Sequence, residues 1–160
     1  MSRSSLTDVD HGQLLSAAMK SVRRKRGLRS ADVAMRMGIP RRTYEYVEAG
    51  QGGLTYERLI SFGKATDSDP YGLLAALATA TPEFAAWVSD NKLAFVIQSI
   101  LREFAETLGE QVAQIDAMTA VAIFSRAATE LVDEVRGRAE REQLWMSEQM
   151  ESDRAGGKDR

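Results

Sequence analysis

From Asp10 to Gly109 the apolar residues recur three and four apart in short runs, and most of these runs stop at a glycine. Such spacing lines up side chains on one face of a helix, and a glycine just beyond supplies the left-handed residue that ends it. No stretch alternates apolar with polar residues as a half-buried strand would, so an all-α chain is expected. Asp10 caps a first helix with Leu14, Leu15, Ala18, Met19 and Val22 inward and Gly27 as its stop. Ser30 opens a second, carrying Val33, Ala34 and Met37 and stopped by Gly38. A third starts near Arg41, turns Tyr44 and Val47 inward and stops at Gly50. Thr55 caps a fourth with Leu59, Ile60 and Phe62, and Asp69 or Pro70 opens a fifth with Tyr71, Leu73 and Leu74.

Farther on, Thr81 is placed to cap and Pro82 to begin a short helix reaching about Ser89. From Asp90 the positions Leu93, Ile97, Ile100, Leu101, Phe104 and Leu108 trace one face up to Gly109. A long last helix is expected from near Glu110 to about Gln149, with its continuity through Gly137 left open, since a break there costs little. The polar end SDRAGGKDR has the composition of a disordered tail. The expected organisation is a domain over 1–76, a helical region over 77–150 and a tail over 151–160.

Charge divides the chain as well. Residues 1–75 carry 12 Lys and Arg against 8 Asp and Glu, and the remainder carries 9 against 15. A basic front and an acidic back suggest two jobs. The run Arg23, Arg24, Lys25, Arg26 closes the first helix, where cations suit the dipole and are also placed for phosphates. With no cysteine and a single histidine, His11, there is no thiolate nucleophile, no clustered metal ligand set and no GxSxG serving a triad. GQGG at Gly50 lacks the Lys-Ser/Thr of a phosphate-binding loop. No enzyme, metal or cofactor is therefore expected. No window has the roughly 20 apolar residues of a membrane span, and MSRSSLTDVD lacks a signal-peptide core, so a cytoplasmic protein is expected.

The segment GIPRRTYEYVEAG, Gly38 to Gly50, places Arg41 and Arg42 on a helix's first turn, where the dipole repels cations. Together with what precedes it, GLRSADVAMRMGIPRRTYEYVEAGQ resembles the lambda-repressor or Cro-like helix-turn-helix regulators, the XRE family, over about residues 10–75. The matching positions are Ala34 in the motif's first helix, Gly38 and Ile39 at the turn, Val47 in the core, Glu48 near the helix end and Gly50 at the stop. Arg29 stands where Ser or Thr often caps, Ser30 where glutamine is common, Pro40 at a usual polar cap and Thr66 at a frequent leucine.

The resemblance implies a five-helix DNA-binding domain whose reading helix begins at Arg41, so that its first turn enters the major groove. An arginine paired to guanine is worth about 1–3 kcal/mol of discrimination, more than the roughly 0.3–1 kcal/mol dipole penalty. On that basis Arg41 and Arg42 are base-contacting, Glu45 meets a cytosine amino group or an arginine, and Tyr46 meets a thymine methyl or a phosphate. Glu45 is also four residues from Arg41 and suits a plain intrahelical ion pair. Ser30, Thr43 and Gln51 are phosphate candidates by analogy, Arg26 and Arg29 by charge, and Glu48 is structural. A self-cleaving C-terminal domain of the kind some such repressors carry is excluded, because the back half is helical in pattern and holds only Lys92 and Lys158.

This class reads two half-sites through a symmetric dimer, and Phe104, Phe124, Leu131 and Val135 are expected at a homodimer interface; a helical hairpin packed on the front domain is the competing use of the same residues. Trp87 and Trp145 are expected as core or interface anchors. The expected function is transcription regulation, repression by default, through a pseudo-palindromic operator. The rival is an antitoxin or adaptor whose acidic C-terminal helices bind a partner protein, with DNA contact secondary.

Overall fold

Asp10 begins the first helix as its side chain predicts: its carboxylate accepts the amides of Gly12 and Gln13 at 2.9 and 3.2 Å. The computed structural model describes residues 10–156, with side chains over 10–150. Every regular element among them is helical: α1 (His11–Lys25), α2 (Ser30–Met37), α3 (Arg41–Glu48), α4 (Tyr56–Ala65), α5 (Gly72–Ala78), α6 (Phe84–Trp87), α7 (Leu93–Leu108), a 3-10 turn (Gly109–Gln114) and α8 (Ala117–Gly156). No described helix is long and apolar enough to cross a membrane.

Contacts divide the chain into two units, Met1–Thr107 and Leu108–Arg160. In the first, α1 packs on α3, α5 and α6, and α2 packs on α3 and α4. Met19 and Val22 meet Val33, Tyr44, Val47, Leu59, Phe62 and Leu73 in one core. The boundary drawn at residue 76 from sequence moves to 107, because Ala85 and Ala86 bury in the same core as Leu73 and Ala76. Small side chains let α5 and α6 close on α1. Charge fastens the same joint: Lys25 donates to the Ala86 carbonyl at 2.8 Å, and Asp90 pairs with Lys25 at 2.8 Å and Arg26 at 2.6 Å. Those two cations hold the Asp90 carboxyl below its usual range.

Several helix starts differ from the sequence reading. The fifth helix begins at Gly72, since Asp69 spends its carboxylate on the amides of Tyr71 and Phe95 at 2.9 and 3.0 Å. Thr81 does not cap; its hydroxyl donates to the Thr79 carbonyl, and α6 waits until Phe84. Asn91, not Asp90, accepts the first amide of α7. The last helix opens at Ala117 rather than near Glu110, after Asp116 accepts the Thr119 amide at 2.7 Å. It passes through Gly137 without a break. Of the expected disordered tail, 151–156 continue α8 and 157–160 lie outside the described residues.

The second unit, within its described side chains, buries none: the large apolar residues of α8, among them Met118, Val121, Phe124, Leu131 and Val135, are all exposed. Within this unit the described elements are α8, of 40 residues, and the 3-10 turn before it.

Glu48, only 5% exposed, accepts from Arg23 of α1 and from Tyr44, and removing one member of such a buried pair typically costs about 3–5 kcal/mol. Urea unfolding of Glu48→Ala, followed by helical circular dichroism, is expected to show a loss of that size. Arg41→Ala, which breaks only an exposed pair, is expected to cost less than about 1 kcal/mol.

Candidate nucleic-acid interface

The turn between α2 and α3 is made by backbone geometry that glycine permits. Gly38 sits at φ 68°, ψ 28°, and the amides of Gly38 and Ile39 return to the carbonyls of Met35 and Ala34, each at 3.1 Å. This left-handed cap reverses the chain within two residues and seats half-buried Ile39 against the core. Pro40, at φ −57° and ψ 141°, then enters α3 with no side-chain cap. At the other end of the motif Asp32 accepts the Arg29 amide at 2.9 Å, so an acid three residues on serves the helix start.

The roll of α3 about its own axis is set by three inward residues, Tyr44, Val47 and Glu48, at the spacing of one helix face. Tyr44 donates its phenol to Glu48 at 2.8 Å. Glu48 also takes two bonds from Arg23, at 2.6 and 3.2 Å, and one from the Ser30 hydroxyl at 3.4 Å. Arg23 in turn donates to the Leu28 carbonyl at 3.1 Å. The first, second and third helices are thus joined at one carboxylate. Gly50 fixes the far end of α3: it lies at φ 78°, and a Cβ there would collide with the Gly12 carbonyl of α1.

With that face turned inward, Arg41, Arg42, Thr43, Glu45 and Tyr46 are all exposed. Arg41 and Glu45 pair at 2.6 Å, the intrahelical ion pair that their four-residue spacing suits. An exposed pair of this kind is worth at most about 1 kcal/mol. Arg42 makes no ion pair among the described residues. Gln51 is exposed in the loop after α3, its amide bonded to the Tyr46 carbonyl at 3.2 Å.

The expected phosphate contacts divide. Arg29, Ser30 and Arg41 line one open concavity of about 400 Å³ together with Arg23 and Ala31. Arg29 pairs with Asp32 at 3.1 Å yet stays 84% exposed, and the pair depresses the Asp32 carboxyl below its usual range. Ser30 turns its hydroxyl inward to Glu48, leaving its helix-terminal position rather than its side chain toward the concavity. Arg26, expected at a phosphate from its charge, is instead folded onto Asp90 and the Asp67 carbonyl. Thr43 remains exposed on the helix.

Of the residues expected at a homodimer interface, Phe104 is half-buried on α7, and Phe124, Leu131 and Val135 are 52%, 59% and 68% exposed on α8. Trp87 and Trp145 are not core residues, at 63% and 62% exposed; Trp87 rests edge-on against Phe84 at 6.3 Å. Sequence reasoning missed Arg23, hidden in a run of four cations, although Tyr44 and Glu48 at four residues apart signalled that the inner face carries a polar partner.

No protein-family model, curated protein or solved structure matches this chain.

Burial, and then the bond to Glu48, pushes the Tyr44 phenol far above its ordinary value of 10.0. Below that ordinary value both folded and unfolded chains keep the proton, and the contribution is intact. Above it the unfolded chain releases a proton that the folded one retains, so stability falls as pH rises. Urea midpoints are expected to drop between about pH 9 and pH 11 in the wild type, and Tyr44→Phe is expected to flatten that slope.

Proposed function

We propose that this chain is a sequence-specific DNA-binding transcription regulator of the lambda-repressor or Cro-like kind, with α2 and α3 as the helix-turn-helix and α3 as the reading helix. The observation that carries this is the fixed roll of α3: Tyr44, Val47 and Glu48 are locked inward, so five exposed side chains, two of them arginines, share the outer surface. A helix that must be read by DNA needs its backbone held independently of the residues that touch bases.

In the proposed complex Arg42 reaches a guanine, and Arg41 exchanges Glu45 for a base or a phosphate. Glu45, released, accepts from a cytosine amino group, and Tyr46 packs on a thymine methyl or meets a phosphate. The arginine-lined concavity at the start of α2 receives a backbone phosphate, and exposed Thr43 and Gln51 take further phosphates. The protein works in the cytoplasm as a homodimer on a pseudo-palindromic operator, and repression follows from occupancy. Exposure of Leu131 and Val135 on α8 supports the second copy as their cover. The same exposure also supports the rival reading, an adaptor or antitoxin whose α8 takes a different protein.

Genomic fragments recovered on purified wild type at near-physiological salt are expected to share an inverted repeat that disappears with Arg41→Ala/Arg42→Ala. Arg42→Ala alone is expected to cost about 1–3 kcal/mol at one base pair of each half-site. Motif-free, salt-sensitive recovery that the double substitution leaves unchanged would overturn the reading. Sedimentation at micromolar concentration is expected to give a dimer for the wild type and a monomer for Leu131→Glu/Val135→Glu. A wild-type monomer that co-purifies with another protein would favour the adaptor.

A further inference from the structure

Tyr56 opens α4, Tyr71 immediately precedes α5, and α7 contributes Phe95, Gln98, Leu101 and Arg102 to a second open cavity of about 410 Å³ in the first unit. None of these residues belongs to the proposed DNA surface. The volume falls within the roughly 300–1,000 Å³ usual for small-ligand sites.

The walls are held in place from beneath. Asp69, 3% exposed, accepts the backbone amides of both Tyr71 and Phe95, at 2.9 and 3.0 Å, and so fastens the start of α5 to the start of α7. The rings of Tyr71 and Phe95 lie 6.0 Å apart at 39°, forming an aromatic corner. The phenols of Tyr56 and Tyr71 face each other at 3.3 Å. One hydroxyl donates to the other, which leaves the pair a single outward O–H donor. Arg102 supplies the one formal charge in the lining; its side chain is 67% exposed, and Glu106 stands 4.0 Å away, at the outer limit of an ion pair.

We propose that this cavity binds a small planar aromatic carboxylate, with its ring against Tyr71, Phe95 and Leu101 and its carboxylate taken by Arg102 and the tyrosine pair. The charge of the lining selects an anion, and a guanidinium beside a hydroxyl donor matches the two oxygens of a carboxylate. The aromatic and aliphatic walls select a ring over a bare phosphate, which would leave them uncovered. A phenol keeps its proton at neutral pH, and the Tyr56 hydrogen bond raises the Tyr71 phenol further above its ordinary value. The site also has a route to the rest of the domain: Tyr56 begins the helix whose Arg58 holds the Gly53 carbonyl at 2.6 Å, in the loop that follows α3.

Isothermal titration of the full chain, without DNA, tests this directly with naphthoate, its neutral analogue naphthamide and inorganic phosphate as probes. Saturable one-to-one binding of naphthoate below about 1 mM is expected, with weaker binding of the amide and none of phosphate. Arg102→Gln, a change at an exposed position, is expected to weaken naphthoate about 10- to 100-fold while leaving the amide unchanged. Tyr71→Phe is expected to weaken the acid less and to retain the ring contact. No saturable binding of naphthoate, an equal response to phosphate, or an unaltered affinity in Arg102→Gln would each overturn the assignment. Because DNA is absent, these outcomes are separate from the success or failure of the regulator reading.

Discussion

The carboxylate of Glu48 is the point on which the front unit turns. It lies near the end of α3, is almost wholly buried, and is met by the guanidinium of Arg23 from α1, the phenol of Tyr44 one turn earlier and the hydroxyl of Ser30 at the start of α2. A buried charge without partners is expensive, so these groups form a directional lock where apolar packing would permit small rotations. Apolar burial holds the helices together; this network decides how α3 is rolled.

Rotation of a helix by one residue position is about 100°, enough to carry Arg42 or Tyr46 out of any shared surface. The turn at Gly38 and the close approach of Gly50 to Gly12 constrain the same helix at its two ends. With its roll and both ends set, the outer side chains can be long and mobile while their attachment points are not. Arg41 illustrates the division: its charge is parked on Glu45 in the free protein, at little gain in stability, on a backbone that the core holds.

The basic run Arg23–Arg26 shows how one composition serves several ends. Arg23 goes to Glu48, while Lys25 and Arg26 go to Asp90 and fasten α1 to the segment between α6 and α7. Three of the four cations in this run are therefore paired with carboxylates distant in sequence, and the positive surface proposed for DNA is narrower than the run suggests. Arg29, Arg41 and Arg42 are what remains close to α3.

Helix content and the order of the first four helices were legible from sequence, because Asp10, Gly27, Gly38, Gly50 and Thr55 act through bonds and dihedrals within their own few residues. The inward residues Met19, Val33, Tyr44 and Val47 were legible for the same reason, since three-and-four spacing is a property of one helix. Where the front unit ends, which acids cap and which pair, and what Arg26 touches were not, because Asp69 and Asp90 each took a partner distant in sequence, Phe95 for the one and Lys25 with Arg26 for the other. The aromatic cavity was invisible for that reason too: Tyr56, Tyr71, Phe95 and Arg102 come together only when α7 returns to the start of α5 through Asp69. Local chemistry determined that this chain is helical and where its exposed arginines stand; the tertiary structure alone decided which charges are used up in holding it together and which are left facing out, since that choice depends on partners brought close only by folding.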